Sequence, residues 1–211
     1  MTKIQWTDRT WNPTTGCNKV SQGCKNCYAE KQHFRLQHMH PGKYTKAFSA
    51  GVEMHQSVLQ EPLKWKKPCR VFVNSMSDLF HADVPFDFID SVFLVMALTQ
   101  QHTYQILTKR PERMLEYFKD RDLGWAIPNI WLGTSVENQQ TADERIPLLL
   151  QVPAAVRFLS CEPLLGPVDL SFIRTTSISG IMPLDSHPIG SPDKPFINWV
   201  IAGNKNNNKA H

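Results

Sequence analysis

Cys17, Cys24 and Cys27 stand in the run GCNKVSQGCKNCYAE, with the spacing Cys-x6-Cys-x2-Cys and a glycine directly before each of the first two. Three thiolates with no fourth cysteine close by suit a metal site that keeps one position open. A [4Fe–4S] cluster held by three Cys leaves one iron to take a small-molecule ligand. A structural zinc ion needs a fourth protein ligand, and His33, His38 and His40 lie downstream on the same segment as candidates. A group of thiols that binds no metal is the third reading. A disulfide framework fits poorly, because the chain has five Cys, an odd number, and MTKIQWTDRT has no apolar region of the kind a secretory signal carries.

A second set of reactive side chains recurs after short apolar runs. Asn74, Ser75, Ser77 and Asp78 follow one; Thr108, Lys109 and Arg110 the next; Ser135, Glu137 and Asn138 a third; Ser160, Cys161 and Glu162 a fourth. Helix caps and loop residues account for some of these, Asn138 and Ser77 among them. Lys109, Glu137 and Glu162 are not ordinary caps, and each comes from a separate unit. Parallel α/β folds bind ligands at the carboxyl ends of their strands. The polar tails are therefore expected to share a pocket with the Cys loop, with Lys109, Glu137 and Glu162 as candidate catalytic groups. Cys69 reads as an ordinary buried thiol, and Cys161 as a secondary candidate for the pocket. His81, near Asp78, reads as an exposed loop histidine, with a general base as the alternative.

The elements that must position these groups follow from hydrophobic periodicity. RVFVNSM (70–76), TYQILT (103–108), NIWLGTSV (129–136), AVRFLSC (155–161) and INWVIAG (197–203) read as strands. An earlier strand is expected near Ile4–Thr7 or Thr10–Thr14. Residues 86–100 read as a helix with Phe88, Ile89, Val92, Phe93, Met96 and Ala97 on one face and Pro85 at its first position. Pro111 opens another helix, with Met114, Leu115 and Phe118 on its apolar side. Residues 141–152 read as a helix with a Thr141-x-x-Glu144 capping box and a kink at Pro147. Strands and helices alternate roughly every 25 to 30 residues, the pattern of a parallel sheet with crossover helices. The expected architecture is α/β: a partial (β/α) barrel of about five to six parallel strands. Residues 1–203 form one such domain, with a loop insertion over 169–195 and a polar tail over 204–211.

Length and composition agree with a folded protein: 211 residues, 41% hydrophobic and 20% charged. No apolar run approaches a membrane span, so no membrane contact and a cytoplasmic, reducing location are expected. The net charge of +4 is mildly basic and does not by itself diagnose nucleic-acid binding. Lys64, Lys66, Lys67 and Arg70 form one basic group, and Lys109, Arg110 and Arg113 another; a solvated face is the first reading of both. Six Trp is high for this length, and some are candidates for pocket walls.

The blocks QWTDRTWNPTTGCNKVSQGCKNCYAE, VFVNSMSDLFHADVP, LTKRPERM, WLGTSVENQQTADERIPLLLQVPAAVRFLSCEPLLGPVDL and INWVIAG, in this order from Ile4 to Gly203, resemble a phage-type family of unassigned function with a three-cysteine motif. That family is similar to radical S-adenosylmethionine (SAM) enzymes. The resemblance implies a partial (β/α) barrel, with Cys17, Cys24 and Cys27 holding a [4Fe–4S] cluster whose open iron takes SAM. Cleavage of SAM by one electron would yield a 5′-deoxyadenosyl radical that abstracts hydrogen from a substrate. Within it, Tyr28 is a candidate for packing on the adenine, with an ordinary aromatic core contact as the equal alternative. Asn74, Ser75 and Asp78 are candidates for the SAM amino and ribose groups. Lys109 and Arg110 are candidates for a carboxylate or a substrate phosphate. Two departures stand out. Most radical SAM enzymes use Cys-x3-Cys-x2-Cys, so the first gap is longer here. The family also continues past the last strand with a GGESG-like turn, whereas Gly203 is followed by NKNNNKAH, so truncation or rearrangement is expected there.

The expected partners are an electron donor, a nucleic-acid or nucleotide substrate as one candidate, and a partner protein as another. The rival function is a zinc-stabilised nucleic-acid-binding module without catalysis, using three Cys, one His and exposed aromatic rings.

Overall fold

In the computed structural model the described residues are 4–119, 121, 127–171, 173 and 196–203. The elements run β1 (Arg9–Trp11), β2 (Thr14–Thr15), α1 (Tyr28–Met39), β3 (Glu53–Met54), β4 (Arg70–Val73), α2 (Phe86–Leu98), β5 (Thr103–Thr108), α3 (Pro111–Lys119), β6 (Ile130–Ser135), α4 (Gln139–Gln151), β7 (Val156–Cys161) and β8 (Trp199–Ala202), with short 3₁₀ turns between some of them. A six-stranded sheet has the order β1-β4-β5-β6-β7-β8, and every neighbouring pair is parallel. β2 and β3 form a separate antiparallel pair.

The sequential strand order decides where the helices go. Parallel crossovers are right-handed, and with no reversal of order each one returns on the same side of the sheet. Phe88, Val92 and Met96 of α2, Met114 and Phe118 of α3, and Ile146 and Leu149 of α4 accordingly share one core. They meet Val71, Val73, Tyr104, Ile106, Leu132 and Leu159 from alternate strand positions. The opposite strand face is concave. Trp6 meets Phe72 of β4, Phe158 of β7 and Trp199 of β8 at ring-centroid distances of 4.7, 6.4 and 6.3 Å. In a flat sheet β4 and β7 would lie about 14 Å apart, three strand spacings, so one indole touching both requires strong curvature. At Gly133 an added Cβ would stand 2.7 Å from the Phe158 ring; glycine there lets that ring fill the concave side. The sheet is the expected partial barrel, and among the described residues it does not close.

The boundaries hold to within one or two residues at most strands. β4 differs: it ends at Val73 rather than at 76, because Asn74 turns the chain with φ +60°. The first strand is Arg9–Trp11. Pro85 is the N-cap of α2 rather than its first residue. The capping box of α4 is formed by Asn138 and Thr141, not by Thr141 and Glu144. Asn138 Oδ1 accepts from Thr141 N at 3.0 Å, so the helix begins at Gln139, and Pro147 lies inside it without ending it. Helix α1 has no counterpart among the expected elements. Most of the 169–195 insertion lies outside the described residues, as does the 204–211 tail, although Ile173 is buried in the core. Among the described residues no helix is long and apolar enough to cross a membrane.

Polar groups at its edges and within it pin this core. Arg121 clamps Asp90 of α2 with Nε–Oδ1 2.7 Å and Nη2–Oδ2 2.9 Å, and Tyr117 OH donates to the same carboxylate. His102 lies edge-on to Trp65 and Tyr104, and its Nδ1 sits 3.4 Å from Cys69 Sγ. His81 is buried, contrary to the exposed loop histidine expected, and its Nδ1 accepts from Asp83 N at 3.1 Å. Burial lowers the pKa of both histidines, helped for His81 by the Arg110 charge. Each therefore binds fewer protons folded than unfolded below the unfolded value of about 6.5. Their contribution to stability is complete above that pH and is lost as pH falls toward the depressed folded values. Denaturant titrations should show stability declining from pH 7 to pH 5. His102→Phe should flatten the slope; an unchanged slope in that variant would exclude His102 as a source of it.

Candidate metal centre

The Cys loop is fastened at its entry to the turn that follows β4. Asn12 Oδ1 accepts from Ser75 Oγ and Met76 N, both at 3.1 Å. Asn74 Oδ1 accepts from Thr14 N, and Ser77 Oγ donates to Gly16 O at 2.7 Å. Ser77 is thus a loop fastener and not a helix cap. Gly16 has φ +89°, and a Cβ there would meet Gly51 O at 2.3 Å, so only glycine fits before Cys17. Cys17 N then donates to Phe48 O at 2.9 Å.

The middle of the loop is held by Glu137, at the exit of β6 and only 1% exposed. Its carboxylate accepts from Ser21 Oγ at 2.7 Å and from Gly23 N at 3.3 Å. Lys109 Nζ at 3.7 Å and Arg145 Nη1 at 3.6 Å balance its charge. A Cβ at Gly23 would stand 2.4 Å from that carboxylate, which explains the glycine before Cys24. Cys27 is the N-cap of α1, and the next residue, Tyr28, donates its hydroxyl to Ser75 O at 2.6 Å. The Tyr28 ring is half exposed.

Asp78 and Arg110 join the loop to the sheet. Asp78 Oδ1 accepts from Phe80 N and Thr108 Oγ1, and Oδ2 accepts from Lys109 N and Arg110 Nη1, all between 2.7 and 3.0 Å. The same Nη1 lies 3.6 Å from Cys17 Sγ, and Arg110 Nη2 donates to Asn18 O at 3.0 Å. Burial pushes the Cys17 thiol up to about 11, with the Asp78 charge adding to it and Arg110 opposing. Burial also raises Cys24, but backbone hydrogen bonds at Val20 and Ser21, the Lys109 charge and the Ser21 hydroxyl outweigh it, and the net shift is downward.

Cys17, Cys24 and Cys27 line one solvent-open cleft of about 140 Å³, together with Tyr28, Asn74, Ser75, Asp78, Lys109 and Arg110. The cleft sits at the carboxyl ends of β4, β5 and β6. Among the described residues no three His, Cys, Asp or Glu gather around a single point as ligands of one ion. Among the described residues no histidine lines the cleft: His33 Nε2 is bonded to Lys46 O, and His38 Nδ1 to Phe34 O. Asn74 Nδ2 is buried with no hydrogen-bond partner, an unused donor on a residue of the cleft wall. Lys109 Nζ reaches Ser135 Oγ at 3.0 Å and remains partly open to the cleft.

Of the candidate catalytic groups, Lys109 is at the cleft, Glu137 lies behind the loop and holds it, and Glu162 is exposed beside Gly203, away from the cleft lining. Cys161 is buried in the helix-side core, and Cys69 is half-buried. Ser77, named among the polar tails but read as a cap or loop residue, lines the cleft. Asn12, Ser21 and Arg145 were not legible as site residues, and of these three only Ser21 carried a signal, by lying inside the Cys loop. None of the six Trp lines the cleft among the described residues.

A family model described as a protein of unknown function (DUF5131) matches residues 1–211. No curated protein and no solved structure matches the chain.

Removing one partner from a buried charge network costs about 3–5 kcal/mol. Glu137→Ala should therefore lower unfolding stability by roughly 3 kcal/mol, and it should free Ser21 and Gly23 so that Cys24 reacts faster with iodoacetamide. An unchanged alkylation rate would show that the carboxylate does not hold the loop.

Proposed function

The chain belongs to the DUF5131 family, and from the cleft built above we propose that it is a radical SAM-type iron–sulfur enzyme, with Cys17, Cys24 and Cys27 as ligands of a [4Fe–4S] cluster. The observation that carries the reading is the arrangement of the three thiols. They open on one cleft at the strand ends of a curved parallel sheet, and no described histidine lines it. A cluster held by three Cys keeps one iron open to a small-molecule ligand, whereas a structural zinc ion requires a fourth protein donor. The resemblance of the sequence blocks to a phage-type family that is itself similar to radical SAM enzymes supports the same reading. When bound, the cluster with SAM supplies hydrogen-atom abstraction through reductive cleavage of SAM, drawing one electron from an external donor.

The chain's own residues divide into those that hold and those that bind. Asp78, Arg110 and Glu137 are consumed in fixing the loop. Arg110 also faces Cys17 Sγ, where its charge favours the thiolate against burial. Lys109 is the cation available to a carboxylate on the cleft, and Asn74 Nδ2 is the free donor beside it. Tyr28 offers a half-exposed ring whose hydroxyl is already anchored, so its face is the part left for a ligand. Free thiols of this kind require a reducing compartment.

Protein reconstituted without air should carry about four irons and four sulfides per chain, and Cys24→Ala should lose them. With dithionite and SAM, the reconstituted protein should release 5′-deoxyadenosine. Lys109→Ala should weaken SAM binding while leaving the iron content intact. Stoichiometric zinc without iron, in protein never exposed to air, would overturn the cluster. A full cluster that neither binds nor cleaves SAM would overturn the radical chemistry and leave an electron-transfer or structural centre.

A further inference from the structure

The positive charge of this protein is concentrated in one place. Residues 17–46, the Cys loop with α1 and the turn after it, contain Lys19, Lys25, Lys31, Arg35, Lys43 and Lys46 against Glu30 alone. That segment carries +5, while the whole chain carries +4, so everything outside it is close to neutral. The same segment is unusually apolar at its surface. Of the nine large apolar side chains exposed among the described residues, Val20, Tyr28, Phe34 and Met39 belong to it. Cations and bare rings are therefore gathered on the rim of the cleft, since Lys19, Val20 and Tyr28 also line its mouth.

Helix α1 orders these groups. Ala29, His33 and Leu36 face inward, against Tyr44 and Phe48. Lys31, Phe34, Arg35 and His38, at i, i+3, i+4 and i+7, fall on the outer face. Phe34 is 69% exposed and meets the His38 ring edge-on at 5.0 Å. Nothing among the described residues covers this stripe, which begins one turn after Cys27.

We propose that the outer face of α1 and the rim of the Cys loop bind single-stranded nucleic acid, whose strand leads a nucleotide into the cleft as substrate. The binding surface stands on its own observations; the assignment of that nucleotide as substrate rests on the enzymatic reading above. Spaced cations suit successive phosphates, and exposed rings among them suit unpaired bases, which stack on aromatic side chains without regard to sequence. A duplex keeps its bases stacked inward and offers the rings nothing. An acidic protein would satisfy the charges but would leave Phe34 without a flat partner.

The test uses a labelled mixed-sequence 20-mer RNA, the matching DNA, and a duplex of the same sequence, measured by fluorescence anisotropy on full-length protein with and without reconstituted cluster. About four phosphate contacts would weaken single-strand binding roughly 50-fold between 50 and 200 mM salt. Phe34→Ala should cost about tenfold or more through lost stacking. Lys31→Ala with Arg35→Ala should flatten the salt dependence, whereas Lys66→Ala with Lys67→Ala, on a different basic group, should not. These α1 side chains are exposed, so the variants fold, and iron content read on the same samples separates a failure of binding from a failure of the cluster. Equal binding of duplex and single strand, or binding indifferent to both α1 variants, overturns the proposal. So does the absence of oligonucleotide binding alongside α1-dependent capture of an acidic electron-transfer protein, which would make the face a donor-docking surface.

Discussion

The site depends on one buried carboxylate and the guanidinium beside it. Asp78 leaves β4 and takes four hydrogen bonds, two of them from the exit of β5 and one from Arg110. Arg110 carries the connection on to Cys17 Sγ and Asn18 O. Two strand ends and the Cys loop are thus tied through a single ion pair. Such a pair is stable away from water only when its remaining donors and acceptors are satisfied, because desolvation otherwise outweighs the Coulomb attraction. Asp78 meets that condition fully. The consequence is a loop whose first thiol has a set position before any ligand arrives, which is what a preorganised site requires.

Glu137 repeats the device one strand further along. Here two cations, Lys109 and Arg145, hold a carboxylate that accepts from the loop at Ser21 and Gly23. Asp78, through Arg110, and Glu137 directly hold opposite ends of the long first gap between Cys17 and Cys24. Lys109 belongs to both functions: its backbone N–H serves Asp78, its ammonium faces Glu137 and Ser135, and part of it remains open to the cleft.

The curvature of the sheet makes these grips converge. Helices on one face leave the other face to close on itself around Trp6, Phe72, Phe158 and Trp199. The exits of β4, β5 and β6 then point toward a common axis. In a flat sheet Asp78 and Glu137 would stand two strand spacings apart, about 10 Å, and one short loop would have to span that gap.

The sequence by itself determined the strand–helix alternation, the parallel sheet, and the gathering of Cys17, Cys24, Cys27, Asn74, Ser75, Asp78, Lys109 and Arg110 at one end of it. These were legible because period-2 and period-3.6 hydrophobicity is a local property, and because parallel connectivity forces every strand exit to the same edge. Tertiary structure alone decided the partners. Asp78 and Arg110, read as ligand-binding groups, line the cleft paired with each other; Glu137, read as catalytic, lies behind the loop and accepts from Ser21 and Gly23; Glu162 is not among the cleft's lining residues. His81 and Arg145 are buried, which nothing in the residues around them announces. The physical reason is that the contacts tying the Cys loop and the strand ends together join residues as far apart as 30 to 116 positions. Which polar groups spend themselves on one another, and which are left facing a ligand, is settled only when the curved sheet brings them within hydrogen-bonding and ion-pair distance.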